Sequence, residues 1–117
     1  MNDRGEVLLP LLPAHHAAGT AESQLNVSLR LYQAGDFEAS IAPARRALVI
    51  KSDFPEAYNN IAASFASLRK WDEAIQSARE ALRLKPDFQL ARNNLVWAEG
   101  EKQKMLRGSN SSPSKAS

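Results

Sequence analysis

Residues 51–61 read KSDFPEAYNNI and residues 85–95 read KPDFQLARNNL, 34 positions apart. A fixed period of 20 to 50 residues constrains a fold more than any local signal, because every unit must present the same faces to its neighbours. Laying Ala21–Phe54 over Pro55–Phe88 pairs Glu22 with Glu56, Asn26 with Asn60, Ile41 with Ile75, Ala44 with Ala78 and Arg45 with Arg79. It also pairs Ala47 with Ala81, Leu48 with Leu82, Lys51 with Lys85, Asp53 with Asp87 and Phe54 with Phe88. These ten identities in 34 positions compare with about two to three by chance, so the copies are related. A third copy begins at Gln89 and gives out after its first half.

Within each copy the apolar residues fall at helical spacing. Ile61, Phe65 and Leu68 make one stripe, and Trp71, Ala74, Ile75, Ala78, Ala81 and Leu82 make another, so each unit is a pair of amphipathic helices. Gly35-Asp36 separates the first two helices, with Asp36 placed to cap the second and Glu38 in its first turn. Asp53 and Pro55 open the third helix, and Pro86-Asp87 stands between the fourth and fifth. The alternation of Leu25, Val27, Leu29 and Leu31 is that of a half-buried strand, yet the matching segment YNNIAASFASL is helical in spacing, and the period forces both to share a structure. The first helix is therefore expected to be apolar on two faces. Pro43 lies well inside the second helix, where it removes a bond to the Ala39 carbonyl and is expected to kink or fray the helix at a cost of about 3 kcal/mol.

A 34-residue helix-turn-helix period with this lettering resembles the tetratricopeptide repeat. The second copy carries Tyr58, Ile61, Ala62, Phe65, Ala74, Ala78 and Pro86 at the signature places, with Ala62 for the usual glycine and Ala78 for the usual aromatic. The first copy is looser, with Gln24, Val27, Ser28, Leu31, Ser40, Ala44 and Ser52 there. The resemblance implies an all-α fold of five helices, a right-handed stack of antiparallel helix pairs with a concave groove lined by the first helix of each pair. It also implies protein or peptide binding rather than catalysis. The expected layout is a linker over 1–20, repeats over 21–54 and 55–88, a capping helix over 89–104 and a disordered tail over 105–117. In the capping helix Leu95 and Val96 are the inner positions, while Glu99 to Lys104 is polar where a further helix would pack.

Composition excludes several chemistries. Lys and Arg number 15 against 13 Asp and Glu, with the signs interspersed, so there is no basic face for nucleic acid. No cysteine is present, which removes disulfides, thiol catalysis and thiolate metal sites. The longest apolar run, Val7 to Leu12, contains Pro10 and falls far short of the roughly 20 residues a spanning helix needs; neither membrane insertion nor a signal peptide is expected, and an independent chain would be a cytoplasmic, soluble domain. His15 and His16 are adjacent and lack a third ligand, so no metal is called for. Neither a nucleophile beside a base and acid nor a glycine-rich phosphate loop occurs; no cofactor or enzymatic activity is expected.

If the stack forms, the groove positions follow from the repeat. The first helix offers Leu25, Asn26, Leu29 and Tyr32; the third offers Asn59 and Asn60; the fifth offers Asn93, Asn94 and Trp97. Asn26, Asn60 and Asn94 recur every 34 residues as a ladder of amides, each with two donors and an acceptor for an extended backbone. This is similar to the asparagine ladder of the peptide-binding superhelix in O-linked N-acetylglucosamine transferase; the alternative is that these amides bond to neighbouring turns. Leu25, Leu29 and Tyr32 at i, i+4 and i+7 form an apolar stripe, to be covered either by a foreign peptide or by the chain's own VLLPLLP segment. The carboxylate-clamp subclass of the family is disfavoured, because Leu25, Leu29 and Leu90 stand where its basic residues would be. Three uses are open: a module binding a protein or peptide, the non-catalytic tail of a larger protein, similar in layout to the tails of some bacterial membrane glycosyltransferases, and a self-associating module that forms a homodimer.

Overall fold

The computed structural model describes residues 19–116, and the side chains of residues 19–108. Among the described residues there are five helices: α1 (Ala21–Gln33), α2 (Phe37–Ile50), α3 (Pro55–Ser67), α4 (Trp71–Leu84) and α5 (Gln89–Ala116). Among the described residues there is no strand, and no helix is long and apolar enough to cross a membrane. The alternating segment is helical, as the period required. Its two-faced character is visible in Val27 and Leu29, which stay exposed, and in Leu25 and Leu31, which are half-buried.

The helices begin and end where local chemistry dictates. The Thr20 hydroxyl accepts from the Ser23 amide at 3.0 Å and starts α1. Asp36 precedes α2, but its side chain makes no capping bond; its carbonyl accepts from Ser40 N at 3.0 Å instead. Pro55 is the first residue of α3, where its missing N–H costs nothing. The two turns inside the repeats both need a left-handed residue, Gly35 at φ 85° and Arg69 at φ 63°. These are the same place in successive copies. A Cβ added at Gly35 would meet open space, so replacing it isolates the backbone term. Gly35→Ala is expected to lower stability by about 1 kcal/mol, read from urea unfolding; an unchanged midpoint would mean the turn relaxes.

Helices adjacent in sequence pack against one another, and α1, α3 and α5 also touch in succession. The main core gathers Ile41, Ala44, Ile61, Phe65, Ala66, Trp71, Ala74, Ile75 and Ala98, with Leu48, Leu68 and Leu95 against it. A second cluster of Ala21, Ala47, Phe54 and Ala57 joins the hairpins at the other side. Much of the interior is alanine or serine: Ser28, Ala44, Ala62, Ala74, Ala78 and Ala81 are fully buried. Such small side chains let helices approach closely, which is why Ala78 serves in a place where an aromatic is usual. No unit here could bury these faces alone; stacking does it.

The repeated letters that open each inter-repeat turn have a mechanical meaning. Lys51 lies 4.7 Å from the centre of the Phe54 ring and 3.6 Å from Glu22, while Lys85 lies 4.8 Å from the Phe88 ring and 3.7 Å from Glu56. Each lysine thus ties the turn after a repeat back to that repeat's own first helix. The charges are about half exposed, so each pair is worth at most about 1 kcal/mol. Their contribution is chiefly to turn geometry.

Pro43 does not end α2, which runs unbroken from Phe37 to Ile50. The ring is buried, so part of the lost backbone bond, about 3 kcal/mol, is offset by apolar burial at about 0.8 kcal/mol per methylene. At the other end, α5 passes residue 104, where a capping helix was expected to stop, and continues to Ala116. The reason is local. Residues 34–36 and 68–70 form the turns of the first two copies, whereas Lys102, Gln103 and Lys104 supply neither a glycine nor a left-handed residue, and the helix goes on. Within α5 the buried contacts are Ala91 and Ala98, with Leu95 half-buried as expected; Val96 points away and is 64% exposed. Val96 puts a branched side chain at the place where Ser28 and Ala62 are fully buried in the earlier copies.

Candidate binding face

The odd-numbered helices define one side of the stack. Because α1, α3 and α5 touch while α2 and α4 make no contact with each other, the array bends toward the odd side. Of the residues expected there, Leu29 is 37% exposed and Trp97 44%, and Asn26 and Asn93 are also exposed; Leu90, near the start of α5, is 61% exposed. On α3 between them stand Ala63 and Ser67, half-buried, and Ala66, buried. Small side chains on α3 thus lie between helices that carry exposed apolar residues.

Other nominated residues are already engaged. Leu25 packs on the cluster of Ala21, Ala47, Phe54 and Ala57, so it joins repeats as well as facing outward. The Tyr32 ring meets the Phe37 ring at a tilt of 59°, with centroids 5.2 Å apart. The Trp97 ring meets Trp71 nearly edge-on at 5.8 Å and 70°, which holds its orientation while leaving a face open. Gln89 donates to the Asn93 carbonyl at 2.8 Å within α5.

The three ladder asparagines have three different environments. Asn26 is exposed. Asn60 is only 5% exposed, and its amide nitrogen donates to the Ser28 hydroxyl. Asn94 is half-buried and donates to the Asn59 carbonyl at 2.8 Å. Sequence reasoning missed the network around Asn60. Ser28 donates to the Ser40 carbonyl at 2.6 Å, Ser40 donates to the Phe37 carbonyl at 2.7 Å, and the Ser40 and Ser64 hydroxyls are 2.5 Å apart. Since each hydroxyl has one proton, Ser64 must donate to Ser40, and Asn60 must donate to Ser28. Every donor direction in this buried cluster follows. The signal was present in the sequence as Ser28, Ser40 and Ser64 at places where the next copy has Ala62, Ala74 and Ala98.

Two clefts lie on the side of the even helices. One of about 600 Å³ is lined by Glu38, Ile41, Ala42, Arg45, Arg46, Phe65, Lys70 and Glu73. The other, about 770 Å³ between α4 and α5, is lined by Asp72, Ile75, Gln76, Arg79, Glu80 and Glu99 among others. Six of these pairs are 34 residues apart, so the clefts are one feature repeated. Arg79–Glu99 at 2.9 Å and Lys102–Asp72 at 2.5 Å link α4 to α5 at the second. No group of three metal-ligating side chains occurs among the described residues, and His15, His16 and the VLLPLLP segment lie outside them.

The family model described as tetratricopeptide repeat matches residues 55–88. Residues 55–88 are a tetratricopeptide repeat. The match spans α3 and α4 with the turn that follows, and the five-helix stack around it accords with tetratricopeptide architecture. No curated protein matches the chain. Tetratricopeptide repeats typically mediate protein–protein interaction and are typically non-catalytic.

Proposed function

We infer that this chain is an interaction module that holds an extended protein or peptide segment across α1, α3 and α5. The observation that carries this reading is the exposure of apolar side chains on the two helices that flank α3, Leu29 on α1 and Leu90 with Trp97 on α5. Solvent-exposed apolar side chains gathered on one face are a mark of something bound. Asn26, Asn93 and the Asn59–Asn94 pair add hydrogen-bonding groups on these three helices. Asn60 serves the stack and gives its amide hydrogen to Ser28, so the ladder on this face is broken at its middle rung. Catalysis has no part in the reading.

The test begins with peptides selected from a random library on the intact protein. Leu29→Ser with Leu90→Ser is expected to change unfolding stability by no more than about 0.5 kcal/mol, since both side chains stand largely in solvent. The same double change should weaken the selected peptides by tenfold or more, about 1.4 kcal/mol. Undiminished affinity in the folded variant would remove this face from consideration. Sedimentation of the unliganded protein across concentrations separates foreign-peptide binding from self-association, because a homodimer using the same residues would dissociate on the same double substitution.

A further inference from the structure

The asparagine that recurs every 34 residues is put to two uses, and the residues that decide between them can be named. Below Asn60, on the preceding odd helix, stand Leu25 and Ser28; below Asn94, in the equivalent places, stand Asn59 and Ala62. Where the hydroxyl is present, Asn60 turns into the interior and donates to Ser28, which is itself anchored to the Ser40 carbonyl at 2.6 Å. Where the hydroxyl is replaced by a methyl group and the leucine by an amide, Asn94 stays half-buried and donates to Asn59 at 2.8 Å. The junctions otherwise match: Ser28, Ser40 and Ser64 are fully buried, and so are Ala62, Ala74 and Ala98.

We propose that the residue pairs Leu25/Ser28 and Asn59/Ala62 act as a selector that withdraws one repeated asparagine into the helix junction and presents the other on the odd-helix face. The physical cause is hydrogen-bond accounting. A buried amide N–H without an acceptor costs on the order of 1–3 kcal/mol, so the side chain rotates toward whichever acceptor its junction provides. Ser28 has already committed its proton to Ser40 and can only accept, which fixes the Asn60 amide without ambiguity. At the second junction the acceptor used is the Asn59 carbonyl. Among the described residues no further partner engages the Asn94 carbonyl or the Asn59 amide hydrogens, so this pair presents an acceptor and donors side by side. Resting on the function proposed above, the selector localises hydrogen bonding by the face to the α3–α5 step, with chemistry suited to one peptide group or primary amide of the bound segment.

The experiment exchanges the pairs in the full chain. Asn59→Leu with Ala62→Ser places the first junction's chemistry beneath Asn94, and the added hydroxyl can donate to the Ala74 carbonyl as Ser28 does to Ser40. The readout is the hydrogen-exchange rate of each asparagine side-chain amide by NMR. In the wild type Asn60 is expected to exchange slowest and Asn26 fastest; in the double variant Asn94 should slow by roughly tenfold, toward Asn60. Ser28→Ala should accelerate Asn60 by a similar factor. Ala62→Ser alone, a smaller change, gives the same readout if the double variant folds poorly. Unaltered Asn94 exchange in the folded variants, or unaltered Asn60 exchange in Ser28→Ala, overturns the selector. Binding of a library-selected peptide is measured on the same samples. Slowed Asn94 exchange with weakened binding supports the selector and the binding face together, whereas slowed exchange with full affinity overturns the assignment of the face's hydrogen bonding to the α3–α5 step and leaves the apolar residues to the Leu29→Ser, Leu90→Ser test.

Discussion

Trp71→Ala should remove about 3–5 kcal/mol of folding stability, the range for deleting a large buried aromatic. Trp71 is 6% exposed and belongs to the core with Ile41, Phe65, Ala66, Ile75 and Ala98. Its ring meets Trp97 at 5.8 Å, and the Arg69 guanidinium lies 5.7 Å from it, so the indole touches the α3–α4 turn, its own hairpin and the next helix at once. Ala44, Ala66, Ala74 and Ala98 in the same core are too short to fill the space. Domains of this size have stabilities of roughly 5–15 kcal/mol, so the loss takes a large share of the total and should move the urea midpoint far down. Trp71→Phe is the control, since Phe37 fills the same place in the first repeat; it should retain most of the stability. Urea titration followed by helical circular dichroism decides it, and a loss below about 1.5 kcal/mol for the alanine variant would show that the core does not converge on this ring.

Ending the chain after Phe88, so that α5 is missing, should abolish the cooperative unfolding transition. In a stacked array stability is the sum of unit terms and neighbour interfaces, and α5 supplies the last interface. It buries Ala91 and Ala98 and sets Leu95 against the core; without it the small-residue face of α4 and the edge of Trp71 meet water. Two hairpins alone fall below the three units that usually secure an array. The ion pairs Arg79–Glu99 and Lys102–Asp72 are exposed and together contribute at most about 2 kcal/mol, so Glu99→Gln with Asp72→Asn should leave a cooperative transition. A truncated chain that melts as sharply as the parent would mean that α1–α4 forms a self-sufficient core, with α5 an appendage.

The repeat itself was readable, and so was the burial it imposes. Ile61, Phe65, Trp71, Ala74, Ile75, Ala78 and Ala81 are buried as their spacing required, because stacking identical units leaves only one face that can be inward. The period also overrode the strand-like alternation from Leu25 to Leu31, since a local pattern cannot contradict the copy that follows it. Where reasoning from the repeat went too far was in treating equivalent positions as equivalent environments. Asn26, Asn60 and Asn94 share a place in the period but not a partner, because the residue that faces each comes from the preceding unit, and the preceding units differ. Leu25 likewise reads as a groove residue from its place in the helix, yet it packs on the cluster that Ala21, Ala47 and Phe54 of its own unit form with Ala57 of the next.

For this protein, periodicity alone determined the helical class, the hairpin unit, the inward stripes and the family resemblance, because those depend on intervals within one unit. Tertiary structure decided the rest. The direction of each buried hydroxyl, the fate of each asparagine, the passage of α2 through Pro43 and the run of α5 past residue 104 depend on which side chain of a neighbouring unit lies within hydrogen-bonding or packing distance. That pairing is set by distance in space, which a single unit's letters do not encode.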